Sequence, residues 1–306
     1  MEINIVKAVQ GLSCKFLDVV LWCITKLGEE TCFVLALLGL YLLYSQKFAV
    51  KYGVIYLLSA GINSAIKNII KRPRPHVASE LIQNKLPASG YSFPSGHSQG
   101  YFVQATMGFD EIARTSKTKK SKYISLFVLL FVGLCVMFSR LYFGQHYLTD
   151  TLVGATCGIV VYIVFESILK CLPQSFKEKF TIDKWYWFLL IVSSVVAIVF
   201  FILELTKDIS KAKVYKITAV FIAMSIGYFI NKKYIRYEEK SSPLQTFLKG
   251  IILYGVLGLF LVAYNLWIKP SGIIVFVLYL IISLVCTILL PIIFKNIFKT
   301  TNNEKV

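Results

Sequence analysis

Apolar residues run along this chain in long blocks separated by short polar connections. They show neither the alternation of a half-buried strand nor the narrow stripe of a surface helix. Ten blocks read as membrane-spanning helices, at about 6–27, 31–44, 49–70, 94–112, 123–143, 147–169, 185–203, 214–230, 247–268 and 272–294. The first is the weakest, because Lys15 and Asp18 interrupt it. The pattern predicts an all-α, polytopic transmembrane bundle. The polar connection 171–184 predicts a boundary within it, with residues 1–173 forming a six-helix core and residues 174–306 a second bundle of about four helices. The other long polar connection, 71–93, exceeds the usual loop length, and such loops are often functional.

Composition agrees with a membrane protein. Of the 306 residues, 57% are hydrophobic and only 16% are charged, too few charges to cover a soluble surface. The formal net charge of +17 would point to nucleic acid in a soluble protein. Here the lysines and arginines sit in short connections between apolar blocks, so no nucleic-acid partner is expected; the same charge can attract anionic headgroups. Most of the 33 basic residues fall on one side if both termini are cytoplasmic, as with Lys47 and Lys51, the run from Arg114 to Lys122, and the run from Lys232 to Lys240. One loop opposes that orientation, with Lys207, Lys211, Lys213 and Lys216 softened only by Glu204 and Asp208. The seven cysteines form no CxxC pair and lie mostly in apolar blocks, so neither a disulfide framework nor a zinc site is expected. Leu12-Ser13-Cys14 has no apolar stretch before it to make a cleavable leader, and the first helix is expected to act as an uncleaved signal.

The chain has three histidines, His76, His97 and His146, all near the expected outer ends of the third to sixth helices. The segment from Lys67 to His76, KNIIKRPRPH, crowds Lys67, Lys71, Arg72 and Arg74 at a helix end stopped by Pro73 and Pro75. It reads as an ordinary basic cap or as an anion site; on an outer loop, where cations are not otherwise favoured, an anion would explain it. In YSFPSGH, Pro94 opens a helix whose free N–H groups, with Ser95, Gly96 and His97, form either an anion seat or a plain capped start. In SRLYFGQHYLTD, Arg140 is costly at a helix end in the membrane unless paired or functional. His146 and Asp150, four apart, share a helix face, so the carboxylate can fix the imidazole tautomer and leave the other ring nitrogen to attack; the bland reading is a pair that satisfies itself.

Together the three segments resemble the signature motifs of the type 2 phosphatidic acid phosphatase family. Lys67, Arg74 and Pro75 match the first, Pro94, Ser95, Gly96 and His97 the second, and Ser139, Arg140, His146 and Asp150 the third. The likeness covers about residues 16–169; the last four helices carry no recognised motif, although larger membrane relatives such as the sphingosine-phosphate phosphatases also have extra C-terminal helices. The resemblance implies a metal-independent lipid phosphatase with no cofactor. Lys67, Arg74, Ser95, Gly96 and Arg140 would bind phosphate. His146 would attack phosphorus, Asp150 would orient it, and His97 would protonate the leaving group and then activate water. His76 fits no motif position and reads as an exposed loop residue, and Glu29 and Glu30 read as an ordinary acidic pair. An outward-facing site suits a polyprenyl diphosphate, phosphatidic acid, phosphatidylglycerophosphate or a sphingoid phosphate, in the plasma membrane, with a homodimer possible. A lipid phosphotransferase, a transporter and an inactive binding protein are the rival readings. Vanadium haloperoxidases share the site but are soluble.

Overall fold

In a computed structural model of the chain, the described residues are 1–179, 181–207, 212–239, 241–266 and 272–298. Lys211, Asp208 and Lys240 lie outside them, as does the end of the ninth expected span. The described residues are helical and contain no strand. They divide into two units, residues 1–33 with 52–172, and residues 34–51 with 173–306. The division after 172 falls at the polar connection, but residues 34–51 cluster with the second unit rather than the first.

The first unit begins with α1 (Glu2–Gln10) and α2 (Lys15–Thr25), which continues as one 3₁₀ turn, Lys26–Gly28. Next come α3 (Glu30–Gly39, extended by a π turn to Tyr44) and α4 (Gln46–Ile70), each with residues assigned to both units. The short α5 (Pro75–Ala78) follows, then α6 (Gly96–Thr115), α7 (Lys119–Tyr142) and α8 (Leu148–Cys171). α6 packs between α7 and α8. It is 20 residues long but falls short of the others in hydropathy, because it buries Ser98 and Gln99 among its neighbours instead of facing lipid. One close approach fixes the packing: a Cβ on Gly154 of α8 would stand 2.5 Å from the Ser95 carbonyl oxygen. Outward faces are apolar, as at Phe127, Phe131 and Leu134 on α7, which suits hydrocarbon and not water.

The second unit adds α9 (Gln174–Lys179), α10 (Ile182–Lys207), α11 (Ala212–Ile230), α12 (Pro243–Leu266), α13 (Gly272–Leu284) and α14 (Leu290–Ile297). α11 packs on both α10 and α13, with Tyr186 stacked on Tyr228 at 4.0 Å. Lys249 is buried there, donating to the Tyr237 hydroxyl and to Ser241 Oγ.

Among the described residues, seven helices are long and apolar enough to cross a membrane, so the chain is a multi-span membrane protein. The first expected span is not one of them. α1 and α2 meet at a bend of 119° around Gly11 and Cys14. Glu2 at one end pairs with Arg72, and Glu29 beyond the other end approaches His97. Both ends of this segment therefore lie at the same face of the unit. Polar contacts of Glu2 with Arg72 and Thr149 thus hold the start of the chain beside the residues around the histidines.

Candidate active site

The three motif segments converge at one end of α4, α6, α7 and α8. α4 ends at Lys71, which takes a left-handed conformation (φ 52°) before Pro73. The 71–95 loop then crosses the site. Two motif cations tie that loop down. Lys67 Nζ donates to the carbonyls of Pro94 (2.6 Å), Tyr91 (3.1 Å) and Ser92 (3.3 Å). Arg74 donates to Ser89 O (2.8 Å), Gly90 O (3.0 Å) and Gln145 O (3.1 Å), so it joins the loop to the residue before His146. Their first visible work is on backbone carbonyls, which spacing alone did not disclose.

Ser95 is the N-cap of α6, accepting from Ser98 N–H (3.3 Å) and Ser98 Oγ (3.0 Å). Its own N–H donates to the Asp150 carbonyl oxygen at 2.9 Å, which joins the second motif to the third. Gly96 and His97 follow in the first helical turn.

His146 is 2% exposed and Asp150 is fully buried. His146 Nδ1 lies 3.6 Å from Asp150 Oδ2, within ion-pair range but longer than a hydrogen bond; Nε2 faces Arg74 Nη1 at 3.4 Å. Burial holds the His146 imidazolium well below its ordinary pKa, and the charges of Arg140, Arg74, Lys67 and His97 add to that. The ring is therefore neutral and able to act as a nucleophile. Asp150 has other partners as well. Oδ2 accepts the Tyr147 N–H at 2.9 Å, and Oδ1 pairs with Arg72 at 2.8 Å.

Arg72 is a site residue that no motif position contains. Its guanidinium bridges Asp150 and Glu2 and lies over the Tyr147 ring at 3.8 Å. Glu2 also accepts from the Thr149 N–H and hydroxyl. The crowding of cations in KNIIKRPRPH was the only sequence signal for Arg72, and nothing in the sequence pointed to Glu2. His76 is half-buried, not an exposed loop residue: its Nδ1 is 2.9 Å from the Gly144 carbonyl oxygen, in the turn that delivers His146. Glu29 is no ordinary acidic residue either. Burial works to raise its carboxyl, but the His97 imidazole 3.6 Å away and the hydrogen bonds from Lys26 outweigh it and hold the pKa at about 2.

Arg140 is 4% exposed and gives one hydrogen bond, Nη1 to Thr25 Oγ1 at 2.8 Å, while its Nε is buried without a partner. Among the described residues neither Arg140 nor Arg74 has a carboxylate within ion-pair distance. An apolar groove of about 380 Å³ in the first unit is lined by residues such as Leu21, Met137, Phe138 and Leu148. No group of three or more His, Cys, Asp or Glu side chains is placed to hold a metal among the described residues.

Residues 48–171 match the sequence profile of the PAP2 superfamily. Residues 215–302, where sequence analysis finds no recognised motif, match that of the PAP2 superfamily phosphatase transmembrane extension. The chain is similar to dolichyldiphosphatase of Saccharomyces cerevisiae, 33% identical over 33% of this chain and 44% of the relative. It is also similar to phosphatidylglycerophosphatase B of Bacillus subtilis, 34% identical over 37% of this chain and 55% of the relative. The chain thus spans about half the length of these two curated relatives. A crystal structure of a transmembrane PAP2 type phosphatidylglycerolphosphate phosphatase from Bacillus subtilis aligns over 56% of this chain and 86% of that one, at 21% identity and a TM-score of 0.49.

Proposed function

The chain belongs to the PAP2 superfamily, and from that premise we propose that it hydrolyses a lipid phosphate or diphosphate through a phosphohistidine on His146. The observation that carries the proposal is the pair of buried guanidiniums, Arg74 and Arg140, which have no carboxylate within ion-pair distance among the described residues and flank a buried neutral imidazole. Buried charge of that kind costs several kcal/mol unless a counterion completes it, and a phosphoryl group is the counterion that an adjacent nucleophile can use.

The roles follow from the atoms. Nδ1 of His146 is turned to Asp150, so Nε2 attacks phosphorus in line and forms the P–N bond while the P–O bond to the lipid breaks. Arg74 and Arg140 hold the equatorial oxygens, with the Gly96 N–H and Ser95 at the head of α6 adding donors. Lys67 keeps the 91–94 segment in place and adds positive charge. His97 protonates the departing oxygen and later takes a proton from the water that cleaves the P–N bond. The apolar groove lined by Leu21, Met137, Phe138 and Leu148 offers a bed for the lipid chain. The relatives act, by name, on dolichyl diphosphate and phosphatidylglycerophosphate, and the same choice between a prenyl diphosphate and a glycerolipid monophosphate applies here.

Orientation follows from charge. The end of the first unit opposite the site carries Arg114, Lys117, Lys119, Lys120 and Lys122, and this supports a cytoplasmic position for that end and an extracytoplasmic one for the site, with Glu2.

The test is release of inorganic phosphate by detergent-purified protein from phosphatidic acid, phosphatidylglycerophosphate, a sphingoid phosphate and a prenyl diphosphate, with chelator present. Release that His146→Ala abolishes is the expected result. No release from any of the four by folded protein, or release that survives His146→Ala, would overturn the reading.

A further inference from the structure

Residues 25–29, Thr-Lys-Leu-Gly-Glu, precede the stretch that matches the superfamily profile and contain no motif residue. They nevertheless reach two charged groups of the site. Thr25 Oγ1 accepts from Arg140 Nη1 at 2.8 Å. Glu29 Oε1 stands 3.6 Å from His97 Nε2, and Lys26 Nζ donates to both Glu29 oxygens, at 2.9 and 3.1 Å. The backbones are as close as the side chains. A Cβ on Gly28 would stand 2.5 Å from the His97 carbonyl oxygen, so the turn rests directly on the first turn of α6 and only glycine permits it.

We propose that Glu29 is the positioning carboxylate of His97, as Asp150 is of His146, and that the Thr25–Glu29 turn is a fourth segment of the active site. The proposal rests on the phosphatase reading and deepens it. When His146 Nε2 bonds to phosphorus, the electron pair of the breaking P–O bond stays on the lipid oxygen, and that oxygen takes its proton from His97. His97 must therefore carry a proton before the step. Of the charged groups gathered at the two imidazoles, Glu29 and Asp150 are carboxylates and Lys26, Lys67, Arg74 and Arg140 are cations, while His146 is neutral. Each of those cations opposes a second positive charge on His97. Glu29 offsets them and fixes the ring plane, while Lys26 fixes the Glu29 rotamer.

The discriminating measurement compares leaving groups. Diacylglycerol departs from phosphatidic acid as an alkoxide that needs a proton; p-nitrophenol departs from p-nitrophenyl phosphate as a phenolate that does not. With the full-length protein in detergent, kcat/KM reports the steps up to departure of the leaving group, as a function of pH. Glu29→Gln is expected to lower kcat/KM for phosphatidic acid by about 10- to 100-fold and for p-nitrophenyl phosphate by less than about 3-fold. The alkaline limb for phosphatidic acid should move to lower pH, because His97 loses its proton more readily. Glu29→Asp, which keeps the charge, should recover part of the loss and the position of the limb. Equal losses on both substrates, an unmoved alkaline limb, or no loss at all would overturn the positioning role. Cleavage of neither substrate by the unaltered protein would instead overturn the phosphatase reading and the proposal with it.

Discussion

Gly154→Ala tests the geometry without touching a motif residue. The added methyl group would stand 2.5 Å from the Ser95 carbonyl oxygen, where ordinary contact begins at 3.4 Å. Either α8 or the Pro-Ser-Gly-His turn must therefore give way by about 0.9 Å. Neither is free to do so. Ser95 O accepts the Gln99 N–H at 3.0 Å, Ser95 N–H donates to Asp150 O at 2.9 Å, and Gly154 lies one turn beyond Asp150 on the same helix. The displacement consequently separates His97 from His146. Overpacking of this kind costs about 1–3 kcal/mol of stability. A misplacement near 1 Å between reacting groups costs roughly 100-fold in rate. The assay is kcat/KM for phosphate release, paired with thermal unfolding of the detergent-solubilised protein. A variant with a modestly lowered Tm and a loss of about 100-fold at a temperature well below it fits the argument. A variant within about 3-fold of the unaltered activity would show that the two helices do not hold the histidines in register.

Further outcomes follow from the same contacts. Arg72→Ala removes the charge partner of buried Asp150; because the Arg72 side chain is 27% exposed, the expected loss is about 1–3 kcal/mol rather than that of a fully buried pair, read by thermal unfolding, and an unchanged Tm would contradict it. His146 has a folded-state pKa below its unfolded value near 6.5, so the unfolded chain binds the extra proton and stability falls as pH drops below about 6.5; a His146→Asn variant should lose that part of the pH dependence, and identical profiles would contradict it. Glu2→Gln weakens the clasp on Arg72 and Thr149 and should raise the protease sensitivity of the first ten residues with the helices intact; unchanged cleavage would count against the clasp. In a cysteine-free background, Asn84→Cys should react with an impermeant maleimide from outside intact cells and Lys120→Cys should not, and the reverse pattern would invert the proposed orientation.

The class of the protein and most of the residues that meet at the candidate site were legible in the chain itself. Apolar blocks of bilayer length admit helices because no other segment satisfies its backbone in lipid. Local chemistry marked the rest: Pro94 and Ser95 open a helix, Pro73 and Pro75 follow the end of another, and the i, i+4 spacing of His146 and Asp150 lays both on one face. These signals act within a few residues, so they survive without knowledge of the fold. What reaches across the chain was not legible. The partners Arg72–Asp150, Glu2–Arg72 and Glu29–His97 are 78, 70 and 68 residues apart in sequence, and no periodicity links them. The first apolar block illustrates the difference. Its composition permitted a membrane span, but the structure bends it by 119° and gives polar contacts to both of its ends, with Arg72 and His97. Sequence determined which segments could be helices and which side chains could do phosphoryl chemistry. Only the packing of α6 against α7 and α8 decided which charges meet, because burial makes a charge seek its partner wherever the fold has brought one.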